Sequence, residues 1–267
     1  MANSEIQHPE TGNIESLRQN ESLRLVNNTR AVVIFGRFGV GQSNLGENLA
    51  KLLNAHLYDG GKKIRAATGN TPGTTEFMPR DVSVDEDIDA AQIRLIKAAS
   101  PDRPVVIVAK LGGYNAAKLM QEDSNIKVVR ILVTCDRKEA ALRALRRKFK
   151  EIYRDFHTLT LQAGAGEIDS EEYAQKLEEL HEIEKNTTLE KIIQDAQNRE
   201  RGDSQHWGKM YPALAGVDIY NPAALVDING KKEPLFDIRI STTRKRPGQS
   251  VEELKEKLIA GGFAQKN

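Results

Sequence analysis

The chain has 267 residues and almost balanced charge, with 39 Lys and Arg against 38 Asp and Glu and a formal net charge of +1 at pH 7. This balance argues against nucleic acid as the main partner, and no apolar run approaches the ~18 residues of a membrane-spanning helix. A single cysteine, Cys135, excludes an internal disulfide. Because the N-terminal stretch also lacks the apolar segment of a secretory signal, we expect a cytoplasmic protein that binds no membrane.

Strands and helices are predicted to alternate along the chain. Apolar runs at residues 31–35 and 104–109, and the largely apolar run at 128–135, are typical of strands buried on both faces. Shorter strands are expected at 56–58 and 236–240. Helices are expected at 43–54, 85–99, 137–154 and 251–259, with a Gly-, Pro- and Thr-rich loop at 68–84. This alternation predicts an α/β fold with a parallel sheet covered by helices on both faces.

Two regions differ from this pattern. Residues 1–29 are polar and predict an N-terminal tail outside the folded domain or a short helix against it. Residues from about 151 to 201 are rich in charge and poor in apolar side chains, with helices expected at 170–185 and 188–199. We interpret this second region as a helical excursion over the sheet. The alternative is a helical hairpin with no role in an active site.

A Gly-rich turn follows the first buried run and reads GRFGVGQS from Gly36 to Ser43. A loop between a buried strand and a helix N-terminus presents free backbone N–H groups and the positive end of the helix dipole to a phosphate. We therefore predict a nucleotide-binding loop, with the Ser43 hydroxyl as a ligand of Mg²⁺. The residues assigned to ATP binding are Gly36, Arg37, Phe38, Gly39, Val40, Gly41, Gln42, Ser43 and Asn44.

Gln42 lies where such loops carry Lys. An amide can donate hydrogen bonds but brings no positive charge to the β- and γ-phosphates. The replacement should weaken catalysis more than binding, because the backbone donors remain. The alternative is a Gly-rich turn that binds no ligand.

The order of motifs from about residue 30 to 262 resembles that of the cytidylate kinases, a family of nucleoside monophosphate kinases. The resemblance is to the short branch of that family, where the loop lysine position is often Thr, so Gln42 by itself does not imply an inactive protein. It implies a three-layer P-loop NTPase fold, usually monomeric. The domain would span 30–262, with an acceptor-binding part at about 59–100 and a helical lid or insertion at about 148–207.

The resemblance also implies an acceptor site. The segment Gly61-Lys62-Lys63-Ile64-Arg65 matches the family's phosphate-binding segment, although Lys62 stands where Asp is usual. Residues 85–92 match an Asp-x-x-Ile-Asp-x-x-Gln helix, whose carboxylates can accept from the amine of cytosine. Residues 109–114 match the family's third-strand motif, with Lys110 in place of Arg. The implied acceptor-binding residues are Arg65, Asp85, Asp89, Gln92, Lys110 and Gly113.

A set of lid residues completes the resemblance. Arg143 and Arg147 match arginines at the start of the lid, and Arg199 and Asp203 match its end. The resemblance implies that these four residues close over the transferred phosphate. His206-Trp207 stands where the family has Arg-Tyr. The implied reaction is ATP-dependent phosphorylation of CMP or dCMP, with Mg²⁺ as cofactor.

Departures from the family pattern at Gln42, Lys62, Lys110 and His206 keep two alternatives open. One is a nucleotide-binding protein with weak or no turnover that acts on a protein partner through its insertion. The other is a kinase of a different small molecule, with Lys62 reshaping the acceptor pocket.

Overall fold

The computed structural model describes residues 22–69 and 81–267. Its strands are β1 (Leu23–Leu25), β2 (Thr29–Gly36), β3 (His56–Asp59), β4 (Val105–Val108), β5 (Lys127–Thr134), β6 (Leu225–Ile228), β7 (Lys231–Pro234), β8 (Ile238–Ser241) and β9 (Ala264–Lys266). Its helices are α1 (Gln42–Leu52), α2 (Gly60–Thr68), α3 (Val82–Ala98), α4 (Gly112–Glu122), α5 (Arg137–Gly164), α6 (Ser170–Asn186), α7 (Leu189–Met210) and α8 (Pro247–Ala260).

A parallel sheet forms the centre of the molecule, in the strand order β3-β4-β2-β5-β8. The strands β2, β4 and β5 lie inside it, and the apolar runs predicted as buried strands supply them. Val33 and Ile107, paired across β2 and β4, are both fully buried. Such uninterrupted burial is expected where helices cover both faces of a sheet. The predicted α/β fold is confirmed.

The two faces of the sheet carry separate apolar cores, because successive side chains of a strand point to opposite sides. Val32 and Ile34 of β2 pack with Leu49 of α1 and Leu254 of α8. Their neighbour Val33 packs on the other face, in a cluster that contains residues of α3 and α4. The molecule therefore has three layers, helices on either side of one sheet.

The folded domain extends beyond the predicted limits of 30 and 262. Strand β1 pairs antiparallel with β9, and Leu23 and Leu25 are buried in the same core as α1 and α8. Residues 22–29 therefore belong to the domain and not to a polar tail. The remainder of the predicted tail, and residues 70–80 of the predicted loop, lie outside the described residues.

Several helices differ in extent from their prediction. Helix α3 begins at Val82, where the side chain of Asp81 caps it by accepting from the N–H of Ser83 at 3.0 Å. Helix α5 continues to Gly164 and forms an antiparallel hairpin with α6. Helix α7 continues to Met210, so the region predicted as a lid ends in one helix of 22 residues. Within the described residues, no helix is long and apolar enough to cross a bilayer.

Candidate functional site

A cavity of about 330 Å³ lies where β2, β3 and β4 end, beside the Gly-rich turn. The carboxyl ends of parallel strands are where such folds bind their ligands. The turn, the start of α2, one face of α3 and the end of β4 form its walls. The predicted site residues that line it are Phe38, Gly39, Gly41, Gln42, Ser43, Asn44, Arg65, Asp85, Asp89, Gln92, Lys110, Arg147, Arg199 and Asp203.

The Gly-rich turn has the backbone that a phosphate-binding loop needs. Gly39 and Gly41 have φ values of +78° and +90°, in the region that favours glycine. A Cβ at Gly39 would also lie 2.8 Å from the carbonyl oxygen of Ala140. No side chain caps the N-terminus of α1, so its first N–H groups remain available to an anion. The turn thus fits a phosphate group such as those of ATP.

The same turn fits Mg²⁺ only through Ser43, which lines the cavity. In the described part of the chain, no group of three or more His, Cys, Asp or Glu side chains is arranged to hold a metal ion. Mg²⁺ is commonly held by one or two protein oxygens together with phosphate oxygens and water. A single hydroxyl is consistent with a metal that arrives with its nucleotide.

Gln42 is the first residue of α1 and faces the cavity. Its Oε1 atom is buried and has no hydrogen-bond partner among the described residues. A buried amide oxygen without a donor costs free energy. The residue brings hydrogen-bonding capacity to the loop, but no charge.

Lys110 lies just after β4 and projects into the cavity. Its Nζ forms an ion pair with Asp203 of α7 and lies 5.6 Å from the centre of the Trp207 ring. Asp203 is 2 % exposed. The ion pair is therefore largely shielded from water. Arg65 of α2 lines the same cavity.

Asp89 joins three elements of the structure. Its carboxylate accepts hydrogen bonds from Gln92 at 3.0 Å, from Asn115 of α4 at 2.7 Å and from the Tyr211 hydroxyl at 2.6 Å. Burial raises the pKa of Asp89, and burial together with the bond to Asp89 raises the pKa of Tyr211. Asp89 therefore fastens α3 to α4 and to the end of α7, besides lining the cavity.

Gln92 is the second residue of the cavity with an unused acceptor. It is 1 % exposed, and its Nε2 donates to Asp89 while its Oε1 has no partner in the described structure. The amide orientation follows from the bond to Asp89, because a carboxylate can only accept. Gln92 thus carries a buried acceptor that no group of the described structure satisfies.

Helix α7 covers the cavity along one face. The guanidinium of Arg199 lies over the Phe38 ring at 5.4 Å, and Glu200 forms an ion pair with Arg37 of the turn. One and two turns further, Asp203 reaches Lys110, and His206 Nε2 lies 2.9 Å from the Asp85 carboxylate. Residues three and four apart share a helix face, so one face of α7 contacts the Gly-rich turn, Lys110 and α3.

Of the predicted lid, only parts of α5 and α7 reach the cavity. Arg147 of α5 lines it, as do Arg199, Asp203 and Trp207 of α7. Among the described lining residues none belongs to α6, which also has no buried side chain. Helix α6 therefore fits the alternative of a helical hairpin without a role in the site, whereas α7 covers the cavity.

Five predicted site residues do not line the cavity, and four of them have packing roles. Arg37 points away from it, toward Asp218 at 2.7 Å and the Tyr220 ring at 5.1 Å. A Cβ at Gly36 would lie 2.5 Å from the carbonyl oxygen of Val133, and one at Gly113 would lie 2.7 Å from that of Leu235. Val40 is a core residue. These positions shape the loop and the sheet without facing a ligand.

Arg143 is the fifth, and its predicted place in the lid is corrected. Its guanidinium donates to the hydroxyl of Thr242 at 3.1 Å and to the Thr242 carbonyl at 2.6 Å. It also pairs with Glu139, one turn earlier on α5. All these contacts lie at the end of β8. The spacing of arginines along α5 could not distinguish Arg143 from Arg147, because they are one turn apart on the same face.

Sequence reasoning did not assign Asp59 and Trp207, which also line the cavity. Asp59 caps α2 by accepting from the N–H of Lys62 at 3.0 Å. The sequence signal for this cap is an Asp that directly precedes a helix-starting Gly-Gly. Trp207 is 3 % exposed and packs beneath Lys110.

No protein-family model matches this sequence, and no curated protein matches it. Among solved structures, shikimate kinase from Bacteroides thetaiotaomicron is 12% identical over 86% of this chain and 98% of that chain, with a TM-score of 0.43. Shikimate kinase from Acinetobacter baumannii, solved with shikimate, is 12% identical over 87% and 94%, with a TM-score of 0.42. Gluconokinase from Sinorhizobium meliloti 1021 is 16% identical over 70% and 100%, with a TM-score of 0.34. Similarities this weak leave the ligands of this chain to be inferred from its own residues.

Proposed function

We propose that this protein transfers the γ-phosphoryl group of ATP to a nucleoside monophosphate, with CMP or dCMP as the acceptor. The observation that carries the proposal is one cavity that joins the Gly-rich turn to Arg65 and Lys110. Transfer between two phosphates needs both bound in line and several cations around the migrating group. This transfer needs no nucleophile from the protein, and no side chain of the cavity is assigned that role.

On the donor side, the backbone N–H groups of the turn and of the α1 N-terminus would bind the ATP phosphates. The Ser43 hydroxyl would hold Mg²⁺, which neutralises charge on the β- and γ-phosphates. Gln42 would donate through its amide to the same phosphates. Its missing charge lowers the expected rate but leaves the ground-state contacts in place.

On the acceptor side, Arg65 would bind the monophosphate, and Lys110 would join it once the phosphate displaces Asp203. Arg147 and Arg199 line the cavity from above and would stabilise the charge on the transferred group. A phosphate oxygen of the acceptor attacks the γ-phosphorus and ADP leaves. Helix α7 excludes water, which would otherwise hydrolyse ATP.

A second candidate is a nucleotide-binding protein with little turnover. The observation that favours it is the ion pair of Lys110 with Asp203, which removes one acceptor-side cation in addition to the loop charge missing at Gln42. The α5–α6 hairpin would then bind a protein partner. A kinase of another small acceptor is the third candidate, and Lys62 is exposed at the start of α2, where it pairs with Glu47 at 3.4 Å.

The test is an ADP-release assay with ATP·Mg²⁺ and each nucleoside monophosphate in turn. We expect CMP or dCMP to raise the rate well above the rate without acceptor. Arg65→Met should raise the KM of the acceptor at least about tenfold, because a charge-assisted phosphate contact is lost. Lys63→Met is the matched control, since Lys63 is an exposed cation of the same helix that does not line the cavity.

Two results would contradict the proposal. If no nucleoside monophosphate stimulates ADP release although the protein binds ATP·Mg²⁺, the non-catalytic candidate is favoured. If a small hydroxyl compound stimulates it instead, the acceptor class is wrong and the third candidate replaces it.

A further inference from the structure

The carbonyl group of Val40, in the middle of the Gly-rich turn, accepts a hydrogen bond from the hydroxyl of Thr242 at 2.8 Å. Thr242 follows β8 and is 6 % exposed, and Val40 is 1 % exposed. The two residues are 202 positions apart in the chain. A buried backbone carbonyl needs a hydrogen-bond partner, so this contact fixes the direction of one peptide group in the turn.

The direction of that peptide group matters for phosphate binding. In a trans peptide the C=O and the following N–H point in opposite directions. With the Val40 carbonyl bound to Thr242, the N–H of Gly41 is turned away from β8. Gly41 lines the cavity and precedes α1, whose free N–H groups would bind phosphate. A rotation of this peptide would replace a donor with an acceptor at that position.

Arg143 in turn fixes the orientation of the Thr242 hydroxyl. Its Nη1 donates to Thr242 Oγ1 at 3.1 Å, and its Nη2 donates to the Thr242 carbonyl at 2.6 Å. Because an arginine can only donate, the hydroxyl accepts from Arg143 and keeps its own proton for another acceptor. The carbonyls of Val40 and Thr134 lie 2.8 and 3.3 Å away, so Val40 is the nearer acceptor.

We propose that Thr242, held by Arg143, is a positioning residue of the nucleotide-binding turn. It contacts no ligand and acts through the Val40–Gly41 peptide, which it holds with the N–H available to a phosphate. The inference rests on the proposed function for the identity of that ligand. It gives Arg143 a role at the turn through Thr242.

The experiment measures the affinity of the full chain for ATP·Mg²⁺ by calorimetry and the melting temperature of the free protein. Thr242→Val removes the hydroxyl but keeps the shape of the side chain, and we expect binding to weaken about tenfold. Thr242→Ser keeps the hydroxyl and should bind within about twofold of the unmodified chain. Rescue by serine separates positioning from packing, because serine lacks the methyl group but retains the hydrogen bond.

Thr243→Val is the matched control. The Thr243 hydroxyl, in the next residue of the chain, accepts from the N–H of Asp136 at 2.8 Å, and within the described structure it has no hydrogen bond to the Gly-rich turn. Its loss should leave ATP·Mg²⁺ affinity unchanged. Arg143→Met should weaken binding as well, and the double variant with Thr242→Val should weaken it by less than the product of the two, because both act on one contact.

Each other outcome overturns a specific statement. Equal affinity of Thr242→Val and the unmodified chain overturns the positioning role alone. Failure of Thr242→Ser to restore binding, or equal weakening by Thr243→Val, shows a general loss of structure and also overturns it. No binding of ATP·Mg²⁺ by the unmodified chain overturns the proposed function, and the phosphate-related role of Thr242 with it.

Discussion

Polar and charged residues of different elements contact one another at the cavity and beside it. Lys110 pairs with Asp203, and His206 Nε2 lies 2.9 Å from the Asp85 carboxylate. Arg37 pairs with both Glu200 and Asp218. Buried ion pairs cost desolvation energy that their own attraction only partly returns. An anionic ligand that contacts Lys110 must therefore compete with the carboxylate of Asp203.

At Gln42, restoring the charge tests whether the loop limits the chemistry. Gln42→Lys should raise kcat about tenfold or more, because a cation at the β- and γ-phosphates stabilises the transition state. The KM for ATP should change by less than about threefold, since the backbone donors are unchanged. The assay is ADP release at saturating acceptor, and Gln42→Met is the uncharged control of similar size. An unchanged or lower kcat would show that the site has adapted to an amide.

Asp89 should make stability depend on pH in a defined direction. Burial raises its pKa in the folded state above the ordinary value of 3.8, so the folded protein binds this proton more tightly than the unfolded chain does. Its contribution to the free energy of unfolding is therefore greatest below the ordinary carboxyl pKa and is lost as the pH rises through the raised pKa.

Asp89→Asn removes this titration. We expect the free energy of unfolding of the unmodified protein, minus that of Asp89→Asn, to be larger at pH 4 than at pH 7. Urea unfolding at several pH values between these limits measures it. Asp87→Asn, at an exposed position of the same helix, should give a much weaker pH dependence. A difference that grows with pH would contradict a raised pKa at Asp89.

At the scale of elements, the long helical region divides into two parts with different roles. Helix α7 covers the cavity. Its buried residues on one face include Asp195, Arg199, Asp203 and Trp207. Helix α6 has no buried side chain and packs on α5. The stability of α6 therefore comes from its cap at Asp169, from its own side-chain pairs and from the neighbouring helix.

Shortening the hairpin should leave the site intact. The rings of Phe156 and His181 are 5.2 Å apart, so a short Gly-Ser linker can join the two helices there in place of residues 157–180. We expect ATP·Mg²⁺ affinity within about twofold of the full chain, measured by calorimetry, because no residue of the excised segment lines the cavity. A large loss of nucleotide affinity would show that the hairpin is a working part of the lid.

At the scale of the whole molecule, ligand binding and folding stability are linked. The Gly-rich turn, the start of α2 and α7 form one cavity only in the folded state, so a ligand that binds in the cavity stabilises that state. At a concentration about 100 times its Kd, each ligand should raise the melting temperature by about 5–10 °C for a domain of this size. Thermal unfolding with ATP·Mg²⁺, with CMP and with both measures this.

The pattern of protection distinguishes the candidate functions. We expect protection by each nucleotide and a larger shift with both together. Protection by ATP·Mg²⁺ without any by CMP, dCMP or UMP would indicate that the acceptor side has another ligand or none. GTP·Mg²⁺ in place of ATP·Mg²⁺ serves as a control for the donor side, since the backbone donors of the turn contact phosphates only.

The sequence by itself determined the sheet and the Gly-rich turn, because both follow from local information. An uninterrupted apolar run such as 31–35 has to be covered on two sides, and glycines before a helix N-terminus allow the positive φ values found at Gly39 and Gly41. The same local signals do not report which distant groups meet. The strand Leu23–Leu25 is short and lies in a polar stretch, so the sequence does not distinguish it from a tail. Its pairing with β9 in the folded structure does.

Only the tertiary structure decided how the charged residues pair. Lys110 meets Asp203 across 93 positions, Arg143 meets Thr242 across 99, and His206 meets Asp85 across 121. An arginine or aspartate on a helix face has the same sequence appearance whether it faces water, a ligand or a partner side chain. The choice depends on which elements the fold brings within a few ångströms. For that reason Arg147 and Arg143, one turn apart, lie at the cavity and at the end of β8 respectively.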